Sequence, residues 1–315
     1  MQISDRIGSR MRLQDLHVLM TVVQAGSMGK AAQILNTTQP NVSRSVGELE
    51  YALGVRLLDR HRRGIEPTEC GRALLDCGVA VFDELRQGVK HVEFLADPTA
   101  GEVRIGTTPF LAASFVSALI DRLSRSYPRI VFRVVTGYVD ALHRELNERA
   151  LDLLIVRSTG QITDDRLDFE FLFDDQYVVA ASAKNGWARR RKIKISELMN
   201  DPWVLPPPDS VIGAIVLEAF RANGLDYPRA TVITDSPHMR LSLLATGRFI
   251  SVFPASALNF LGRNAALKVL PVELPAARRP NGIITLKDRA LGPVAQLFIN
   301  SARELAQPIA RQRRS

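Results

Sequence analysis

Cysteine is nearly missing from this 315-residue chain, which carries only Cys70 and Cys77. Seven positions apart on one helix, they would stand about 10 Å from each other at about 1.5 Å rise per residue, beyond disulfide reach. Two thiols also fall short of a four-ligand zinc site. Histidine is scarce as well, and His17, His61, His91, His143 and His238 show no metal-ligand spacing. No run of about 18 uncharged apolar residues occurs, which excludes a bilayer-spanning helix. The opening "MQISDRIGSRMRLQDLH" is charged throughout and lacks an apolar signal core, so a cytoplasmic protein is expected. Enzyme signatures are missing too: there is no G-x-S-x-G, H-E-x-x-H, G-x-x-x-x-G-K-[ST] or G-x-G-x-x-G. No catalytic residue, metal or cofactor is assigned on this reading.

Charge of one sign is present but badly placed to signal nucleic acid. The formal net charge is +8. Residues 1 to 100 hold 12 Lys/Arg and 12 Asp/Glu, so the excess lies entirely beyond them, in "RRRK" (189–192), Arg278–Arg279 and the tail "RQRRS". Bulk charge therefore decides little here, and pattern must.

The pattern is informative from residue 13. Leu13, Leu16, Leu19, Val22 and Val23 share one helix face. Gly26 stops that helix and Ser27 can cap a second, short one carrying Ala31, Ala32 and Leu35. Asn36-Thr37 makes a tight turn, Thr38 is the expected N-cap of a third helix, and Pro40 falls in its first turn. That helix runs to about Ala52 and ends at Gly54, with Val42, Val46 and Leu49 buried and Gln39, Asn41, Ser43 and Arg44 on the other face. Two short helices about a tight turn make a helix-turn-helix. "VRLLDRHRRGIEPT" then reads as a hairpin bearing Arg56, Arg60, His61, Arg62 and Arg63, a candidate wing against phosphate.

Thr68 caps the next helix, expected to about Ala96, with a heptad seam of Leu74, Gly78, Val81, Leu85, Gly88, Val92 and Leu95. Its glycines would let a partner backbone approach, so the helix is read as a dimerisation element. Packing on its own domain is the plainer alternative. "ADPTAG" (96–101) breaks it. Beyond, strands and helices alternate in the βαβ rhythm of a parallel sheet covered by helices, in two rounds that imply two lobes and a cleft at strand ends. The expected division is 11–68 winged helix-turn-helix, 69–96 linker helix, 101–160 with 276–310 as lobe 1, and 161–275 as lobe 2.

Gly26-Ser27, Ala31-Ala32, Leu35, Gln39-Pro40, Ser43-Arg44, Leu49-Glu50, Leu53-Gly54, Leu57-Leu58 and Thr68–Gly71 follow in an order that resembles the N-terminal domain of LysR-type transcriptional regulators. Thr38 stands where Ser is commoner and Asn41 where Ala is commoner. The resemblance implies an all-α winged helix-turn-helix head, a long linker helix and an α/β two-lobed domain like type 2 periplasmic binding proteins. It implies a homodimer or homotetramer joined through the linker helix, acting on double-stranded promoter DNA under control of a small-molecule effector. RNA polymerase is a candidate further partner, and no membrane is involved.

On that basis Gln39, Asn41, Ser43 and Arg44 are expected to read bases, Thr38 to cap and touch phosphate, Pro40 to position the helix, and Arg60, Arg62 and Arg63 to hold the DNA backbone. The role of Asn41 stays open between an adenine edge and a phosphate. For the effector, the strand ends offer Thr107, Thr108, Thr136, Tyr138, Pro208, Ser210, Asp235, Ser236 and His238. Hydroxyls and helix amides favour a carboxylate or other polar molecule, while Asp235 favours a hydroxyl or amine; a sugar-type ligand and an aromatic acid both stay open. The rival reading is a small-molecule-binding protein or enzyme on the two-lobed fold with a helical head that reads nothing.

Overall fold

The structure is a computed structural model, and it describes residues 11–61, 64–158, 164–260, 267–275 and 278–311. The chain falls into two compact units, Met1–Gly88 and Val89–Ser315.

The first unit opens with α1 (Leu13–Ala25), α2 (Met28–Ile34) and α3 (Gln39–Leu53). Their boundaries have local causes. Gly26 closes α1 at φ 68 and Gly54 closes α3 at φ 73, left-handed conformations that favour glycine. The Ser27 hydroxyl accepts from the Lys30 amide at the start of α2. Leu19, Val22, Ala31, Val42, Val46 and Leu49 are buried together, and each large aliphatic among them contributes about 1.5–3 kcal/mol. The hairpin β1 (Leu58–His61) and β2 (Gly64–Pro67) follows in antiparallel register, Leu58 opposite Pro67.

Several motif residues act as fasteners for that hairpin. The Glu50 carboxylate accepts from the amides of Leu57 (2.8 Å) and Leu58 (3.3 Å). Thr68 donates its hydroxyl to Arg56 O at 2.8 Å and accepts from the Gly71 amide at 3.0 Å, capping α4 (Glu69–Ala96). A Cβ on Gly71 would lie 2.0 Å from the Leu57 carbonyl oxygen, so the Thr-x-x-Gly spacing lets α4 press against the hairpin backbone.

The second unit begins with β3 (Ala100–Thr107), the short α5 (Pro109–Leu111), a π-helical segment (Ala112–Val116), α6 (Ser117–Ser126), β4 (Arg129–Thr136), α7 (Val139–Asn147) and β5 (Leu153–Arg157). It continues through β6 (Leu167–Ser182), β7 (Trp203–Leu205), α8 (Val211–Arg221), β8 (Ala230–Ile233), α9 (Pro237–Ala245), β9 (Ile250–Pro254), α10 (Ala255–Phe260), β10 (Leu267–Val269), β11 (Arg278–Leu286) and α11 (Pro293–Arg311). Among the described residues the sheet order is β4-β3-β5-β11-β6-β9-β7-β8, with β10 also on β6. β3 is parallel to β4 and β5, and β7 to β8 and β9, as the βαβ rhythm predicts.

The parallel pairing is joined by antiparallel strands, because β11 and β6 run antiparallel to their neighbours. They are the strands that carry the chain between the two halves. β6 pairs with β11 through its first ten residues and with β9 through its later ones. Separate cores lie on either side, one around Val103, Phe115, Leu153 and Phe298, the other around Val179, Trp203, Phe220 and Val252.

Between α5 and α6 the helix after β3 is interrupted by a π segment, a form that tends to mark functional sites. The linker-helix seam also divides. A Cβ on Gly78 would meet Met20 Sδ at 3.0 Å and Leu16 Cδ1 at 3.2 Å, so this glycine serves packing within the first unit and not a partner's approach. Leu74 likewise packs on the first unit's core. Farther along, Leu85, Val89, Val92 and Leu95 are 48–70% exposed, and Gly88 faces open space. Cys70 and Cys77 are free and exposed on the same helix.

Candidate functional site

Two sites emerge, one in each unit. The first is the exposed face of α3. Thr38, Gln39, Pro40, Asn41 and Arg44 are exposed and Ser43 is partly so, while Val42, Val46 and Leu49 point inward. Thr38 occupies the N-cap position with extended backbone, but its side chain makes no cap hydrogen bond, which corrects the expected cap.

Asn41 now has a place. Its Nδ2 donates to Thr37 Oγ1 at 3.2 Å, and its Oδ1 accepts from Arg44 Nη2 at 3.2 Å. This exposed relay orients the guanidinium of Arg44 before any ligand arrives. On β1, Arg60 Nη2 reaches Ser43 Oγ at 3.5 Å, so the hairpin's arginine lies beside the same helix face. Arg62 and Arg63 lie outside the described residues.

The second site lies where β3, β5, β6 and β11 meet the elements that follow them. The nine residues named from sequence are used unequally. Thr107 is fully buried and donates to Ile155 O at 2.6 Å. Ser210 caps α8 by accepting from Gly213 N at 3.0 Å and donates to Pro207 O at 2.6 Å. Ser236 caps α9, accepting from Met239 N at 3.3 Å. Thr136, Pro208 and His238 are exposed. Tyr138, 72% exposed, donates its hydroxyl to Asp235, which joins the loop before α7 to the loop before α9. That bond and the Asp235 charge hold the Tyr138 phenol above its usual range. Asp235, expected to await a ligand hydroxyl, already accepts one from the protein.

Thr108 differs from these. Its Oγ1 is buried with no hydrogen-bond partner among the described residues, directly after β3 and beside the π segment. Sequence reasoning missed the groups that share this condition. Tyr177 is 1% exposed with an unpartnered hydroxyl; Asn281, wholly buried at a bulge in β11, has neither side-chain nitrogen nor oxygen paired; Arg157 leaves Nε unpaired. Arg240 leaves both Nε and Nη2 unpaired, again among the described residues.

These groups are close together. Asn281 stands opposite Arg157 across β11 and β5, and the Arg157 guanidinium lies 4.9 Å from the Tyr177 ring centre. Burial raises the Tyr177 phenol, with the charges of Arg157, Asp175 and Arg240 acting on it. Burial also pulls Arg240 down to about 10, leaving it cationic near neutral pH. Buried polar groups are ordinarily satisfied, so a group of buried, unpaired donors is the arrangement expected of a site that awaits a polar ligand. Among the described residues no cluster of His, Cys, Asp or Glu could hold a metal, and no helix is long and apolar enough to cross a membrane.

Comparison with known proteins matches two stretches of the chain to one group. A family described as "LysR substrate binding domain" covers residues 96–307, and "Bacterial regulatory helix-turn-helix protein, lysR family" covers 13–72. The chain is 25% identical over 296 residues to the HTH-type transcriptional regulator GbpR of Azospirillum brasilense, covering 94% of this chain and 86% of that one. It is equally 25% identical over 295 residues to TdcA of Escherichia coli strain K12, covering 93% of each. Among solved structures, a full-length OxyR variant from Pseudomonas aeruginosa superposes with a TM-score of 0.65 at 22% identity, covering 95% and 97%. Full-length CbnR in complex with its target DNA gives 0.61 at 20% identity, covering 94% and 100%. The two structural likenesses establish the fold.

Proposed function

This chain belongs to the LysR family of transcriptional regulators, and from that premise we propose how its residues divide the work of reading an operator and sensing a metabolite. The family is one of regulators and not of enzymes, which sets aside the rival reading of an enzyme or solute binder with an idle head.

In our reading Gln39, Asn41, Ser43 and Arg44 enter the major groove. The Asn41 relay aims Arg44, whose two-donor edge suits the O6/N7 pair of a guanine. Thr38, with its hydroxyl released from capping, contacts phosphate, and Pro40 fixes the entry of α3. Arg60, together with Arg62 and Arg63, supplies backbone contacts that are blind to sequence and sensitive to salt. The exposed seam of Leu85, Val89, Val92 and Leu95 joins two copies, so that paired α3 helices meet a palindromic promoter site. A homotetramer forms from two such dimers, RNA polymerase is the downstream partner, and the protein acts in the cytoplasm. The effector occupies the cleft at Thr108, Tyr177, Arg240 and Asn281, toward the Tyr138–Asp235 clasp and the residues Thr107, Thr136, Pro208, Ser210, Ser236 and His238.

The observation that carries this reading is the polar relay ordered on an otherwise solvent-facing helix. A gel shift with DNA upstream of the gene tests it. The wild-type protein should retard that fragment at low salt, and Arg44→Ala should distinguish it less sharply from a scrambled fragment. A folded wild-type protein that shifts neither fragment would overturn the proposal.

A further inference from the structure

Among the described residues of the second unit, Arg240 is the least satisfied charge. It is fully buried on α9, in the otherwise largely apolar run "PHMRLSLLA". Phe110 and Phe253 stand beside its guanidinium, with ring centres 4.8 and 5.2 Å from Cζ, and their rings meet edge to face. Nη1 donates to the Val252 carbonyl at 3.2 Å. What is left is the edge formed by Nε and Nη2, and both atoms are buried and unpartnered among the described residues.

That edge has a known use in this protein. Arg303 sets Nε and Nη2 on the two oxygens of Glu170 at 2.6 and 2.7 Å, and Arg166 sets the same pair on Asp164 at 3.0 and 2.8 Å. Two parallel N–H donors match the two oxygens of a carboxylate. Arg240 presents the identical pair with no carboxylate of the described residues on it. Asp235, the acid whose charge reaches it, is exposed and accepts from Tyr138; Asp175, two residues before Tyr177, accepts from Ser256. Of the other groups that act on Arg240, Tyr177 and Tyr227 are neutral phenols near neutral pH, their protons held by burial, and Arg157 is a second cation. A buried cation without a counter-ion is costly. A neutral sugar would leave that cost in place, whereas an acid removes it.

Resting on the reading of this cleft as the effector site, we infer that the effector is a small carboxylic acid whose carboxylate sits on the Nε–Nη2 edge of Arg240. Tyr177 donates its hydroxyl to the same group, and Asn281 and Thr108 engage the polar substituents of the acid's body. Phe110 comes from the element after β3 and Phe253 from the end of β9, so an acid bound between them registers on both lobes at once.

The test uses the full-length protein and three matched pairs at constant ionic strength in chloride: acetate and acetamide, benzoate and benzamide, glucuronate and glucose. Thermal unfolding should show stabilisation by at least one of the acids, with its neutral counterpart binding about tenfold or more weakly. Arg240→Met should erase the difference between acid and neutral partner. Arg240→Lys, which keeps the charge but loses the paired donors, covers the case in which Arg240→Met does not fold, and should weaken the acid by a similar factor. No acid-specific stabilisation up to 100 mM (about the range where even a weak carboxylate fills a two-donor site), or a full response in Arg240→Lys, would overturn the inference. Acid-specific stabilisation without any change in operator binding would uphold the carboxylate site and overturn its regulatory role, so the two failures are told apart.

Discussion

Asp152 shows how much a single side chain can organise. It is 2% exposed at the head of β5 and gathers three cations. Arg104 donates to it through its backbone amide and Nη2, both at 2.9 Å; Arg289, fully buried on its side chain, reaches it at 3.0 Å; Lys90 of α4 lies at 3.4 Å. Burial works to raise the carboxyl, but the Arg104 hydrogen bonds and the Lys90 charge outweigh it and hold the group below the usual range. The native group therefore releases its proton more readily than the unfolded one. Its stabilisation is complete above about pH 4 and disappears as pH falls through the lower native value. Asp152→Ala should cost about 3–5 kcal/mol at pH 7, since Arg289 would be left buried without its acid. Urea denaturation of the full chain measures this, and a loss under about 1 kcal/mol would show that solvent already screens the cluster. The lone acid in "ALDLLIV" and the lone base in "MRLSLLA" were both visible as letters. What each one faced was not, because Arg289 and Phe110 arrive from segments more than a hundred residues away.

At the scale of the element, periodicity and punctuation were readable wherever causes are local. Gly26, Ser27, Gly54 and Thr68 ended or began helices where expected, because each acts on amides within three or four residues of itself. Thr38 stands at the N-cap of α3 but makes no cap hydrogen bond. The α4 seam failed in part for a tertiary reason. A heptad pattern says that one face is apolar, not what covers it, and α1 covers the part around Gly78. The rest of that face is available to a second copy. Val92→Glu, at a position 67% exposed, should leave each chain folded but place a charge in the seam. Sedimentation should then report monomers at concentrations where the wild type is dimeric. An unchanged mass would assign the dimer contact elsewhere.

For the whole molecule, the order of elements gave two units and a two-lobed α/β body, yet β6 and β11 reveal a mixed sheet. The rhythm of strands and helices does not encode strand direction for the segments that cross between lobes. The same crossing brings the buried, unpaired polar groups together, which is why they were the hardest to foresee. Arg157, Tyr177, Arg240 and Asn281 come from four elements and converge only through the topology. The exposed polar face of α3, in contrast, lies on one helix beside a short hairpin, so spacing alone laid it out. Net charge revealed none of it.

The central claim is that α3 reads sequence while the hairpin supplies affinity. Fluorescence titrations of operator and scrambled duplexes across a range of salt, for the wild type, Arg44→Ala and Arg60→Ala, test this most directly. Arg44→Ala should lose about 1–3 kcal/mol of discrimination between the duplexes. Arg60→Ala should weaken both duplexes alike and reduce the salt slope by about 1. An equal loss of discrimination from both substitutions would contradict the division of labour.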